Sequence, residues 1–198
     1  MSQDGVNQGR RTLLVGTTAA MGAVGAGFLA VPYVKSWSPS EKAKAAGAPT
    51  SVDVSKIEAG AMVVAEWRGK PVYVARRTPE ALGFLESLNN QLKDPNNRNK
   101  EQQPDYADNI HRSRKPELLV MLGVCTHLGC APSYHPEVKP EPFDANWKGG
   151  WYCPCHGSRF DFSGRVFNGS PAADNLEIPP HSYETAEVVV IGIDEENA

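Results

Sequence analysis

All four cysteines of this chain fall between positions 125 and 155, in two short segments: Cys125-Thr126-His127-Leu128-Gly129-Cys130 and Cys153-Pro154-Cys155-His156-Gly157-Ser158. Each segment offers a thiol and an imidazole at ligand spacing, C-x-H in the first and C-x-x-H in the second, with Cys130 and Cys155 close by. Either segment alone would be a weak signal, and the pair is a strong one. Thiolate and imidazole ligands suit zinc or an iron-sulfur centre. A tetrahedral zinc site would use two Cys and two His but would leave Cys130, Cys155 and Ser158 without a purpose. A purely structural pair of disulfides would leave both histidines unexplained.

The residues around these segments must place them side by side. Ala61 to Trp67 and Pro71 to Arg76 are β-rich runs separated by Arg68-Gly69-Lys70, which predicts a hairpin. Pro79 to Leu92 repeats Leu82, Leu85, Leu88 and Leu92 at helical spacing and predicts one short helix. Residues 93 to 116 are polar and rich in Asn, Asp, Arg and Pro, which predicts a surface loop. Glu117 to Val124 and Ala186 to Ile193 read as buried strands, with shorter ones at Trp151-Tyr152 and Arg165 to Phe167. Ala131 to Gly149, with four prolines, is expected to be an exposed excursion. The fold class is therefore mainly β, an antiparallel β-sheet head with one short helix and with the cysteines in loops between strands.

The chain has 198 residues and a formal charge of -3, so nucleic acid is not an expected partner. Residues 45 to 198 hold 15 basic against 21 acidic groups, a mildly acidic balance. Residues 13 to 34 carry no formal charge over 22 positions, roughly 33 Å of helix, which predicts a single N-terminal transmembrane helix. That run exceeds the h-region of an ordinary cleaved signal, so a retained anchor is expected. Residues 1–12, with Arg10-Arg11, read as a cytoplasmic tail, and residues 35–50 as a flexible tether to a domain spanning 51–198, its cluster-binding part at about 118–182. Arg10-Arg11 followed by Thr12-Leu13-Leu14 resembles a twin-arginine export signal. The expected location is the bacterial inner membrane, single-pass, with the N-terminus cytoplasmic and the head periplasmic. His111, His135 and His181 read as surface histidines without a function. Trp37, Trp67, Trp147 and Trp151 read as packing or interfacial groups, and the acidic Asp194-Glu195-Glu196 as a solvated terminus.

The CTHLGC and CPCHGS boxes resemble those of Rieske iron-sulfur proteins, of the type found in quinol-oxidising cytochrome bc complexes. With the anchor, tether and β-rich head, the similarity covers essentially the whole chain and points to the iron-sulfur subunits of bacterial ubiquinol-cytochrome c reductases. The resemblance implies one Rieske-type 2Fe-2S cluster, its inner iron held by Cys125 and Cys153 and its outer iron by His127 and His156. It implies a Cys130–Cys155 disulfide joining the loops, Leu128, Gly129 and Ser158 around the cluster, and His156, with His127 beside it, against the quinol. The implied partners are cytochrome b, cytochrome c1 and ubiquinol in a dimeric membrane complex. An arsenite-type oxidase subunit or an oxygenase ferredoxin is the alternative.

Two positions depart from the family pattern. Phe160 stands where many members have a tyrosine, so a hydroxyl donor to the Cys125 sulfur is missing and a somewhat lower potential is expected. Gly169-Ser170-Pro171-Ala172-Ala173 lacks a second proline that is common there, which questions the rigidity of the loop covering the cluster.

Overall fold

The computed structural model describes Gly5 and residues 7 to 194. Residues 1–4 and 6 of the expected cytoplasmic tail, and Glu195 and Glu196 of the acidic terminus, lie outside the described residues. The chain divides into two compact units, one ending at Ala45 and the other starting at Ala46.

The first unit is built on α1 (Gln8–Ser36), which extends past the expected 13–34 at both ends. The Asn7 side chain caps it by accepting from the Arg10 amide at 3.1 Å. No side chain of α1 is buried, and Leu13, Phe28 and Leu29 are among its exposed apolar groups. Thr12 and Thr17 donate their hydroxyls to the carbonyls of Gln8 and Leu13, which satisfies both hydroxyls within the helix. Within residues 35–50, expected to be a flexible tether, lies a short helix, α2 (Glu41–Ala46), in which Lys44 pairs with Glu41.

The second unit holds nine strands in three antiparallel sheets among the described residues. Strands β2 (Met62–Trp67) and β3 (Lys70–Arg76) form the expected hairpin. Its turn is two residues rather than three, because Arg68 and Gly69 both take positive φ and Lys70 already pairs with Trp67. Strand β4 (Leu118–Leu122) pairs with β3 and is buried at every position. Leu118, Val120 and Leu122 point into one apolar core with Val72, Val74, Val189 and Ile191, whereas Leu119 and Met121 point into a second with Cys125, Trp151, Cys153 and Phe160. An unbroken apolar run is what a strand covered on both faces needs. The first core joins this sheet to a base sheet of β1 (Thr50–Asp53), β8 (His181–Thr185) and β9 (Val188–Ile191), in the order β1-β9-β8. The second joins it to the sheet of β5 (Ser133–His135), β6 (Gly150–Cys153) and β7 (Ser158–Phe160), which carries the second cysteine box.

Several expectations from sequence are corrected. The helix α3 (Pro79–Phe84) stops eight residues before Leu92. The Leu85 carbonyl is taken by the buried Arg165 guanidinium at 2.7 Å, and Leu92 is drawn into a bridge with Phe167 instead. Arg165 to Phe167 makes only isolated bridges, not a strand. Residues 93–116 are not a surface loop, because Asn97, Gln103, Ala107, Arg112 and Ser113 are buried. Their polar groups pair with one another and with turn carbonyls; Arg112, for example, donates to Ser163 O and to Gln103 Oε1. Nor is 131–149 wholly exposed: it supplies β5, and buried Trp147 donates to the His135 carbonyl at 3.0 Å. His181 is fully buried rather than superficial, and burial pushes its pKa down to about 4. Trp67, Trp147 and Trp151 pack in the cores, as expected.

Candidate metal centre

Strand β4 delivers the first box and the β6–β7 hairpin the second. In the first, the Gly129 amide donates to the Cys125 carbonyl at 2.9 Å; in the second, the Gly157 amide donates to the Cys153 carbonyl at 2.9 Å. The two glycines take φ of +84° and +78°, so each box is the same five-residue turn closed by a left-handed residue. Behind the first loop, Gly123 lets the Tyr73 ring pass where a Cβ would lie 2.4 Å from it. Tyr73 then donates to the Pro132 carbonyl at 2.9 Å, which ties down the exit from that loop.

Cys130 and Cys155 form a disulfide that bridges the two turns across 25 positions of sequence. The Sγ atoms of Cys130, Cys153 and Cys155 lie within 4.8 Å of one another, but two of these sulfurs are spent on the disulfide and offer no thiolate. Cys125 and Cys153 are the free thiols, and both are buried. Burial pushes the Cys153 thiol pKa up, the adjacent Cys125 thiol adds to this, and the backbone N–H groups of Cys155 and His156 pull it partly back.

The imidazoles of His127 and His156 meet edge to face with ring centroids 4.7 Å apart. His127 is half-buried, and its Nδ1 is enclosed with no hydrogen-bond partner. His156, Pro154 and Cys155 are exposed, and Leu128 is 72% exposed at the tip of the first loop. Ser158 is fully buried; its Oγ accepts from the Ala172 amide at 3.0 Å, and its own hydrogen has no protein acceptor among the described residues. Gly129 serves the site through its backbone, whereas the Leu128 side chain faces outward. Phe160 is fully buried in the same core as Cys125 and Cys153.

Two buried thiols, an orphaned imidazole nitrogen and a second imidazole beside it form the mixed sulfur–nitrogen donor set that a 2Fe-2S centre with two histidine ligands requires. Sequence reasoning did not single out Tyr73, Gly123 or Thr126, whose hydroxyl donates to the Asp174 carbonyl at 2.6 Å. Only the placement of Thr126 between Cys125 and His127 hinted at a role.

Such a head belongs to the Rieske class. Residues 87–180 match the family profile of the Rieske [2Fe-2S] domain, and residues 1–40 match that of the "Ubiquitinol-cytochrome C reductase Fe-S subunit TAT signal". The chain is 52% identical over its whole length to the ubiquinol-cytochrome c reductase iron-sulfur subunit of Allochromatium vinosum, covering 95% of that protein. It is 38% identical to the subunit of the same name from Blastochloris viridis, with 96% of this chain and 97% of the relative covered. To the mitochondrial cytochrome b-c1 complex subunit Rieske of Schizosaccharomyces pombe it is 40% identical, with 89% and 68% covered. The chain belongs to the family of ubiquinol-cytochrome c reductase iron-sulfur subunits. It is an electron-transfer component of an oxidoreductase complex, and its cofactor is one Rieske-type 2Fe-2S cluster.

Proposed function

We propose that Cys125 and Cys153 hold the inner iron and His127 and His156 the outer one, and that the head carries one electron from ubiquinol to cytochrome c1. When bound, the cluster supplies a one-electron acceptor, and two neutral imidazoles in place of two thiolates raise its potential into a range suited to quinol. His156 accepts a hydrogen bond from the quinol hydroxyl at its non-ligating ring nitrogen and takes the proton there as the electron leaves the quinol. His127 sits beside it. Leu128 and Pro154 form an apolar rim that excludes water from the contact. The disulfide keeps the two turns at a fixed separation, and Ser158 donates toward sulfur from the closed side. Phe160 brings no hydroxyl, which sets the potential below that of tyrosine-bearing relatives.

The observation that carries this reading is the split in exposure: His156 is open to solvent while both free thiols are buried. Quinol can thus reach a ligand but not the sulfurs. On this reading the head docks on cytochrome b, then moves on residues 35–50 to reach cytochrome c1, within a dimeric complex. The second quinol electron goes to haem in cytochrome b. The N-terminus is cytoplasmic and the head periplasmic, anchored by one span in the bacterial inner membrane.

The test is electron paramagnetic resonance on membranes holding the full chain in its complex, first with ascorbate and then with dithionite. A Rieske-type signal already present with ascorbate is expected. A signal appearing only with dithionite would instead favour a low-potential ferredoxin role, and its absence with both would overturn the ligand assignment.

A further inference from the structure

The loop at residues 169–174 packs against the site: Ala172 shares a core with Cys125 and Cys153, and the Asp174 carbonyl accepts from the Thr126 hydroxyl. A side chain from a distant segment holds it. Lys93 Nζ donates to the carbonyls of Ser170 and Ala172 at 2.6 and 2.7 Å, across more than 75 residues of sequence. The same segment adds two further ties: Asn175 Nδ2 donates to the Asp94 carbonyl at 3.0 Å, and Asn99 Nδ2 donates to Asp174 Oδ1 at 2.9 Å. Lys93 is itself anchored, its own amide donating to the Val166 carbonyl at 3.0 Å. The polar stretch after Leu92 is thus a bracket behind the covering loop.

The residue gripped at its carbonyl is the one whose amide reaches the site. Ala172 N–H donates to Ser158 Oγ, and a hydroxyl that accepts one bond in a fixed direction has its hydrogen confined to the remaining tetrahedral positions. On the reading that Ser158 donates to the cluster, one of those positions faces sulfur. A hydrogen bond to sulfur stabilises the reduced, more negative state and raises the potential.

We propose that Lys93 is a positioning residue for the redox reaction: by clamping the Ser170 and Ala172 carbonyls it fixes the Ala172 amide, which aims the Ser158 hydroxyl at the cluster and so holds its potential up. This rests on the assignment of Ser158 as a donor to the cluster.

The experiment is a double-mutant cycle of Lys93→Met and Ser158→Ala in the full chain within its membrane complex, read as the midpoint potential of the paramagnetic signal. Ser158→Ala alone should lower the midpoint. Lys93→Met should lower it by at least about half as much and should add little in the Ser158→Ala background, as expected for one pathway. Lys93→Arg, which keeps the donors, should restore it. A lowered midpoint in Ser158→Ala with none in Lys93→Met overturns the positioning role alone. Equal, additive falls overturn it too, since they mark Lys93 as a charge acting independently. An unchanged midpoint in Ser158→Ala overturns the reading on which the proposal rests. If Lys93→Met loses its iron, Lys93→Gln, which retains a donor for one carbonyl, completes the same cycle.

Discussion

The two Cys-His loops share one backbone and differ in what surrounds it. Both close through a left-handed glycine amide onto a cysteine carbonyl four residues earlier, and both present an imidazole beside that turn. The first loop leaves β4, the most buried strand of the head, and keeps its histidine half-buried. The second sits on the β6–β7 hairpin, with His156 exposed. A single turn geometry is therefore used twice, once to shield an imidazole and once to expose one. The lesson is that residue spacing sets the donor set, whereas the supporting strands decide which imidazole is open to solvent.

The largest test of this pairing is to remove the bridge. The disulfide closes a segment of 25 positions, for which loop-closure entropy gives about 3.5 kcal/mol. Cys130→Ser should lower the melting temperature accordingly, and reductant should do the same to the native chain but not to the variant. A variant as stable as the parent would mean that the turns hold their separation without the bridge.

Next in size are the glycines. A Cβ at Gly129 meets nothing within 4 Å, and one at Gly157 meets only Tyr152 Oη at 3.9 Å, so alanine is opposed by backbone strain rather than by space. Gly129→Ala and Gly157→Ala should each cost roughly 1–2 kcal/mol in thermal unfolding, and by similar amounts. Clearly unequal losses would break the equivalence of the two turns.

The smallest effect sharpens the difference between the loops. Leu128→Ser removes an exposed apolar side chain worth roughly 1.5 kcal/mol on burial, about tenfold in an association constant. Quinol-dependent turnover should fall by about that factor at limiting head–partner contact while the cluster midpoint stays put. A shifted midpoint with intact turnover would place Leu128 in the cluster environment instead of the docking rim.

Some of this was legible in the residues. The two boxes announced a metal site, the hairpin and the β4 run announced themselves by pattern, and the uncharged stretch from Leu13 announced a membrane-length helix. The polar stretch from Lys93 to Pro116 was misread for a physical reason. Composition tells that Asn, Gln and Arg side chains need hydrogen-bond partners, but not whether those partners are water or protein. Here Arg77, Arg112 and Arg165 are buried against turn carbonyls, Ser163, Gln103 and Asp161. His181 escapes sequence in the same way, because a buried imidazole whose Nδ1 lies against the Tyr106 hydroxyl and the Pro179 carbonyl looks there like any other histidine. The extent of α3 failed because helical periodicity in Leu82, Leu85, Leu88 and Leu92 also serves a chain that bends around two separate apolar clusters.

What the sequence by itself determined is the chemistry on offer: thiols and imidazoles at fixed offsets, glycines where a turn needs positive φ, and a span long enough to cross a bilayer. These are properties of a few consecutive residues, and local stereochemistry is enough to read them. The tertiary structure alone decided that the free thiols are buried and His156 is not, and that Lys93 reaches the carbonyls above Ser158. Burial and long-range hydrogen bonds depend on which distant segments pack together, and no local pattern encodes that.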